Sequence, residues 1–320
     1  MSKKTSPNSV ISIGCGPDQA PLIRAARSMG LTVIGVDRVN GQDLVDELIV
    51  ESTYDTSAVL EKLSRIKAIQ HVTGVLCRSS GPAVDTANAV ACSLNLPKCG
   101  SDVALSSLSK ATLCETSNRL NIPTIPIIPL CSIDTSEFSY RYVVKPDMPQ
   151  TGKKNVFLVD YNALVPALAA AEKDSLNSRA IIQPYIDGED VIAFVAFQEG
   201  QVIWYDLFNE KNVFVSSKVD HSGMVALSDE KYKELEASLI SMAADFCRPS
   251  RASGFVSFSF RLDNEGVIFL YEVNPGLCGD GLADYFLPSR WQGDFFKIDV
   301  AIMTGLNIPR INKKIDRETF

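Results

Sequence analysis

Between Gly254 and Pro275 the chain reads GFVSFSFRL-DNEG-VIFLYEVNP, two alternating runs on either side of a polar turn. Side chains alternate across a strand, so this stretch specifies an antiparallel hairpin with two chemically different faces. With DNEG as the loop, Leu262 pairs with Val267, Ser257 lies opposite Glu272 and Ser259 opposite Leu270. Phe258, Phe260 and Tyr271 then share one face, and a face built from aromatics is core. Ser257, Ser259, Arg261, Glu272 and Asn274 share the other face, which opens on a cavity or on solvent. A carboxylate and an amide oxygen at this spacing suit Mg²⁺, a hard cation that takes oxygen ligands. The same pattern fits a polar edge facing water.

The N-terminal third has a different period. Val10 to Ile13 is a short apolar run that ends in GCGP, and Leu22, Ala26 and Met29 follow at helical spacing. Gly30 closes that helix, as glycine does just past a C-terminus. Leu31 to Val36 is the next apolar run and ends at Asp37; His71 to Cys77 is another, followed by RSSGP and a helix from about Ala83 to Leu94. Strand, glycine turn, helix, strand, acid is the layout of a dinucleotide-type βαβ unit. GCGPDQ supplies only the first two glycines of that fingerprint, so it reads either as a nicotinamide-cofactor turn or as a plain tight turn. Asp37 either holds a ribose or caps its strand.

The middle of the chain changes character. Leu105 to Leu120 is helical, and the prolines of NIPTIPIIP stop the helix and force extended chain. Tyr142 to Lys145 and Val156 to Val159 are strands, joined by the polar segment PDMPQTGKKN. Such a loop suits a lid over phosphates, whose negative oxygens its backbone N–H groups and lysines can cradle. For Lys153 and Lys154 a solvated hairpin is the alternative, whereas Lys145 ends a β-branched strand where a half-buried group is expected. A helix spans Tyr161 to Lys173. Strands are expected over Ala180 to Gln183, Asp190 to Phe197 and Val202 to Phe208. Tyr232 to Phe246 is an amphipathic helix.

Composition bounds the possibilities. A chain of 320 residues holds two or three structural units at ~100–200 residues each. With 31 Lys and Arg against 38 Asp and Glu the net charge is -7, which argues against a nucleic-acid partner. No apolar run reaches the ~18 residues of a membrane span, and MSKKTSPNS has no apolar core of an export signal. The 8 cysteines form no CxxC pair and the 2 histidines, His71 and His221, stand in unrelated segments. Reduced thiols in a cytoplasmic protein without a zinc site are expected.

Taken in order, these pieces resemble the ATP-grasp superfamily over nearly the whole chain. The resemblance implies a fold of mixed α/β and α+β class: a Rossmann-like pre-ATP-grasp domain at 1–104, a small lobe with lid and hinge at 105–188, and a C-terminal lobe with the magnesium and substrate site at 189–320. SLSKATLCETSNRLNIPTIP is similar to the helix that carries the family's first nucleotide lysine, here Lys110. VVKP is similar to the strand that offers the second, Lys145, to the α- and β-phosphates. QTGKKNV stands where the lid does, with Gly152 and Lys153. IIQPYIDGED is similar to the hinge: Gln183 faces the adenine amino group, Tyr185 and Ile186 supply backbone, and Asp190 takes the ribose hydroxyls. YEVNPG is similar to the magnesium strand, with Glu272 and Asn274 as ligands.

The family usually has an acid near Ser259, thirteen positions before Glu272. Gln183 is often glutamate in the family, and Asn155 stands where a lid glycine is common. The implied activity is ATP-dependent joining of a carboxylate to an amine through an acyl-phosphate, with ATP and Mg²⁺ as cofactors, small-molecule acid and amine substrates, amino acids among the candidates, and a homodimeric state. Ser259 keeps open a second expectation, a nucleotide- or ligand-binding protein with reduced or lost catalysis. Arg261 and Arg290 are the candidate substrate or phosphate contacts, since an arginine fork suits a carboxylate. Asp280 and Asp284 are candidates for holding an amine, and His221 for a base; His71 reads as structural.

Overall fold

In the N-terminal unit, consecutive apolar runs have both faces covered, which is the pattern of a parallel sheet. The computed structural model describes residues 8–39, 43–133, 141–150, 155–215, 218–277 and 281–314, with side chains described outside 67–68 and 213–222. Strands β1 (Ser9–Ile13), β2 (Thr32–Asp37), β3 (Glu47–Val50) and β4 (Val72–Leu76) form a parallel sheet in the order β3-β2-β1-β4. Helices α1 (Ala20–Ser28) and α2 (Thr56–Ser64) connect β1 to β2 and β3 to β4, and α3 (Pro82–Ser93) follows β4. β3 and α2 are additions to the sequence reading: ELIV is a short edge strand with a single buried side chain, Ile49.

The expected single helix over 105–120 is two. Helix α4 (Ser101–Leu108) ends at Ser109, which is extended (φ -125°, ψ 127°) and caps α5 (Lys110–Arg119) by accepting from Thr112 N–H at 3.2 Å. Lys110 therefore opens a helix instead of sitting inside one. The boundary expected after residue 104 lies within α4.

Downstream, β5 (Tyr142–Pro146), β6 (Phe157–Val159), α6 (Leu164–Lys173), β7 (Ala180–Pro184), β8 (Gly188–Gln198), β9 (Gln201–Val215) and β10 (Lys218–Ala226) follow. Then come α7 (Asp229–Cys247), β11 (Gly254–Asp263) and β12 (Ile268–Pro275). The strands make one antiparallel sheet in the order β12-β11-β8-β9-β10-β6-β5-β7. Strand β8 is apolar at every position from Val191 to Phe197 because both faces are covered. Val191, Ala193, Val195 and Phe197 pack with Leu235, Leu239 and Phe246 of α7; Ile192, Phe194 and Ala196 pack with Phe295, Ile298 and Ile302. Those last three lie on α9 (Phe295–Thr304), which follows the short α8 (Leu287–Arg290). Helix α9 also packs on α1 and β4 of the N-terminal sheet, with Val300 in that unit's core. Gly74 makes this approach possible: a Cβ there would sit 2.6 Å from the Met303 carbonyl oxygen. Among the described residues no helix is long and apolar enough to cross a membrane.

The β11–β12 hairpin differs in register from the sequence reading. Leu262 pairs with Ile268 and Phe260 with Leu270, then a bulge intervenes and Ser259 pairs with Glu272 and Ser257 with Asn274. Leu270 and Val273, three apart, are the core residues, and Tyr271 leaves the aromatic face on which the sequence had placed it. Bulges re-aim side chains in this way.

Arg290 has a different role from the expected substrate contact. It lies away from the cavity described below and pairs with Asp206, which has no exposed side-chain surface. Asp206 accepts from Arg290 Nε (3.0 Å) and Nη2 (3.2 Å), from Trp291 Nε1 (2.8 Å) and from Leu207 N–H (3.0 Å). Asp284, the expected amine holder, instead pairs with the buried Arg78, whose Nη1 and Nε reach the Asp18 (2.8 Å) and Leu277 (3.0 Å) carbonyls. Cys15 and Cys247 are buried, and burial raises their thiols, so they stay neutral and act as small hydrophobes.

Removing the Arg290 guanidinium leaves Asp206 buried without its cation. Arg290→Ala is expected to cost about 3 kcal/mol in denaturant unfolding. Asp299 on α9 is 4% exposed, and burial raises its carboxyl to about 7. The folded state then keeps a proton that the unfolded chain releases near 3.8, so stability falls as pH rises from about 4 to about 7 and is level above. The contribution is on the order of 4 kcal/mol at most. Asp299→Asn should flatten that slope and stabilise the protein at pH 8, which unfolding curves at pH 5.5 and pH 8 will read.

Candidate active site

The strands of the large sheet and the N-terminal unit line a cleft of about 880 Å³. Nine expected site residues reach its wall: Lys110, Lys145, Gln183, Tyr185, Ile186, Asp190, Arg261, Glu272 and Asn274. Gly152 and Lys153 of the lid, and Asp280, lie outside the described residues, as does the side chain of His221.

Strand β5 delivers Lys145 and α5 delivers Lys110; each is 8% exposed. Lys110 Nζ stands 3.7 Å from Glu272 Oε1. Lys145 Nζ lies 5.7 Å above the ring of Tyr271, within cation–π range. Buried ammonium groups beside a carboxylate and an aromatic face make a site that attracts anionic oxygens.

The bulge in β12 places Tyr271 and Glu272 both toward the cavity. Tyr271 O–H donates to Glu210 Oε2 at 3.4 Å. Burial first, then Asp190, Glu210 and Glu272, hold its hydroxyl well above the ordinary tyrosine value, so it stays a neutral donor. Glu210 was missed in the sequence because β9 was expected to stop at Phe208, whereas it runs on to Val215. Asn212, on the same extension, donates to Asp190 Oδ2 at 2.9 Å and to Glu210 Oε2 at 3.2 Å.

Arg261 is committed to the protein itself. Directly across from Asp190 in the β8–β11 ladder, it donates through Nε to the Ile186 carbonyl (2.8 Å), Nη1 to Asp190 Oδ1 (3.0 Å) and Nη2 to the Tyr185 hydroxyl (3.2 Å). The Tyr185 ring is also covered by Arg141 at 4.3 Å. Arg261 thus organises the 185–190 segment, with three of its five N–H groups engaged there. Gln183, 3% exposed, donates from Nε2 to the Ile125 carbonyl at 2.7 Å. That bond fixes the amide so that its oxygen is the end left to accept.

The side chains that could hold a divalent cation are Glu272 and Asn274, on alternate positions of β12 and opposite Ser259 and Ser257. Among the described residues no three His, Cys, Asp or Glu side chains cluster for a metal. One carboxylate and one amide oxygen fit Mg²⁺, which takes few protein ligands and completes its shell with phosphate oxygens and water.

At the N-terminal end, the GCGP turn is closed by its own side chains. Cys15 N–H donates to Asp37 Oδ2 (2.8 Å) and Gly16 N–H to Gln19 Oε1 (3.0 Å), while Gln19 Nε2 donates to the Arg78 carbonyl (2.7 Å). Asp37 also accepts from Val39 N–H at 3.2 Å, so it caps the end of β2. Those N–H groups are therefore spent within the turn and do not face outward to a pyrophosphate.

No protein-family model matches the sequence, and no curated protein does. Solved structures do. The L-amino acid ligase of Bacillus licheniformis superposes with a TM-score of 0.74 at 17% identity, covering 96% of this chain and 76% of that one. The N5-carboxyaminoimidazole synthetase of Staphylococcus aureus, complexed with ADP, gives 0.73 at 15% identity over 98% and 82%. The biotin carboxylase domain of the Hydrogenobacter thermophilus 2-oxoglutarate carboxylase, in complex with MgADP, ADP and bicarbonate, gives 0.70 at 16% over 95% and 70%. The fold follows these structures across nearly the whole length of the chain, and the chain has the ATP-grasp fold.

Proposed function

We propose that this protein is an ATP-dependent ligase that joins a small-molecule carboxylate to an amine, amino acids being the first class to test. The observation that carries the reading is the meeting, in one cavity, of Lys110 and Lys145 with Glu272, Asn274 and Gln183. These residues are far apart in sequence and chemically matched to a nucleoside triphosphate. The solved ADP and MgADP complexes of the same fold support it.

In this reading adenine lies against the hinge. Its amino group donates to Gln183 Oε1, whose partner nitrogen is already held by Ile125. Tyr185 N–H is spent on the Arg141 carbonyl (2.9 Å) and the Ile186 carbonyl on Arg261, so the Ile186 N–H is the hinge donor for a ring nitrogen. Asp190, oriented by Arg261 and Asn212, takes the ribose hydroxyls. Lys110 and Lys145 hold the phosphate chain, and Glu272 and Asn274 would hold Mg²⁺, which when bound neutralises phosphate charge. A carboxylate oxygen attacks the γ-phosphorus and ADP leaves, giving an acyl-phosphate. An amine nitrogen then attacks the acyl carbon, loses a proton and expels inorganic phosphate. Cationic groups matter because the γ-phosphoryl carries spread negative charge during transfer. Enclosure matters because water hydrolyses acyl-phosphates.

One observation favours a second reading. Ser259 faces Glu272 where a second acid would serve the metal, which fits a nucleotide-binding protein with weakened ligation.

MgATP is expected to raise the melting temperature, by an amount equivalent to about 2.7 kcal/mol at a hundredfold excess over Kd, with no effect from NAD. Lys145→Ala should weaken MgATP by about 1.5–3 kcal/mol, roughly 10- to 150-fold, without lowering the melting temperature of the free protein. Unchanged affinity in that variant would remove the site assignment. Ser259→Asp separates the two readings. ADP release in the presence of acid and amine mixtures should be unchanged or reduced by it in a competent ligase, and should rise from near zero in a binding protein.

A further inference from the structure

Asp147 follows Lys145 by two residues and is 1% exposed. It stands where the end of β5 meets the start of α5, and every polar group it carries is engaged there. Its backbone N–H donates to the Arg179 carbonyl (3.0 Å), and its carbonyl accepts from Lys110 N–H (3.0 Å). Oδ1 accepts from Ala111 N–H (2.8 Å) and from Ser109 Oγ (2.9 Å), and Oδ2 from Asn177 Nδ2 (2.7 Å). Asn177 is itself held by Ser175 Oγ (2.7 Å) and Arg179 N–H (3.2 Å), both donating to its Oδ1.

A helix leaves its first four N–H groups without intrahelical partners. In α5 the N–H groups of Lys110 and Ala111 end on Asp147, and that of Thr112 on Ser109, which donates to Asp147 in turn. A buried carboxylate at a helix N-terminus is also favoured by the helix dipole. The consequence is geometric. Lys110 is the first residue of α5 and Lys145 the penultimate residue of β5, and Asp147 is bonded to both segments at once. Two ammonium groups act together on one phosphate chain only if their separation is set, and an error of about 1 Å costs roughly a hundredfold in such sites.

We propose that Asp147 is a positioning residue: it fixes the start of α5, and so Lys110, relative to Lys145 and the cavity. This rests on the nucleotide reading of the two lysines.

The test is a double-mutant cycle on MgATP affinity, read by calorimetry on the full chain, with unfolding temperatures measured in parallel. Asp147→Ala is expected to weaken MgATP about tenfold in the natural background and less than about twofold on top of Lys110→Ala, since contacting or coupled residues are non-additive. Asp147→Asn alone sets an N–H donor against Asn177 Nδ2 and should weaken binding. Adding Asn177→Asp returns an acceptor to that contact and should restore affinity to within about threefold. This rescue pair carries the test if Asp147→Ala does not fold. Equal losses with and without Lys110→Ala would overturn the proposal, as would a fall in unfolding temperature with affinity unchanged. If Lys110→Ala weakens MgATP while the Asp147 variants do not, positioning alone fails. If the unsubstituted protein binds no MgATP, the nucleotide reading fails with it.

Discussion

The turn between β11 and β12 sets Phe260 opposite Leu270, and a regular ladder continued from there would bring Glu272 opposite Phe258, in the aromatic core. A carboxylate in that position would have no partner and would cost several kcal/mol to ionise. One extra residue, Tyr271, shifts the phase. Glu272 comes opposite Ser259 and Asn274 opposite Ser257, and the polar side of the hairpin closes over the cavity. The lysine pairing of Glu272, the donor hydroxyl of Tyr271 and the cation–π contact of Lys145 all follow from that single insertion. So does the core, because Leu270 and Val273 still pack into the cluster that holds Val103 of α4 and Leu113 of α5.

That insertion also explains why the sequence was legible in one respect and opaque in another. The alternation from Ser257 to Asn274 announced which polar side chains share a face, and they do share it, although Tyr271 joins the cavity side instead of the aromatic one. The partners were read two places off, because the turn is one residue longer than DNEG implies and the bulge adds another. Two shifts of one residue restore the parity, so the face survives although the register does not. The apolar runs of β1, β2 and β4 were equally legible, since parallel strands covered on both sides leave an uninterrupted hydrophobic signature. Lys145 could be singled out because it ends a β-branched strand, whereas Lys110 and Gln183 stood out only through the resemblance of their segments to the family's motifs.

What could not be read depends on contacts between distant segments. Nothing near Arg290 reveals that Asp206, 84 residues earlier, is its partner, or that the guanidinium is thereby removed from the cavity. Arg261 looked like a substrate contact for the same reason: its position on the polar face was visible, but its bonds to Ile186 and Asp190 were not. The break at Ser109 has only a weak local signal, a serine at a possible cap. The helical pattern on either side of it runs on, and the cap is confirmed by Asp147, 38 residues away. Glu210 went unread because the apolar alternation fades before it.

Helix α9 lies on two cores at once, with Val300 among the side chains of the N-terminal sheet and Phe295, Ile298 and Ile302 under β8. On the ribosome the N-terminal strands emerge more than two hundred residues before that helix. Until it arrives, the ground beside Gly74, Val10 and Leu76 is bare apolar surface. Synthesis therefore delivers a sheet that waits, incompletely sealed, for the last helix of the described chain, and the interval is when this protein is most open to aggregation or to chaperone capture.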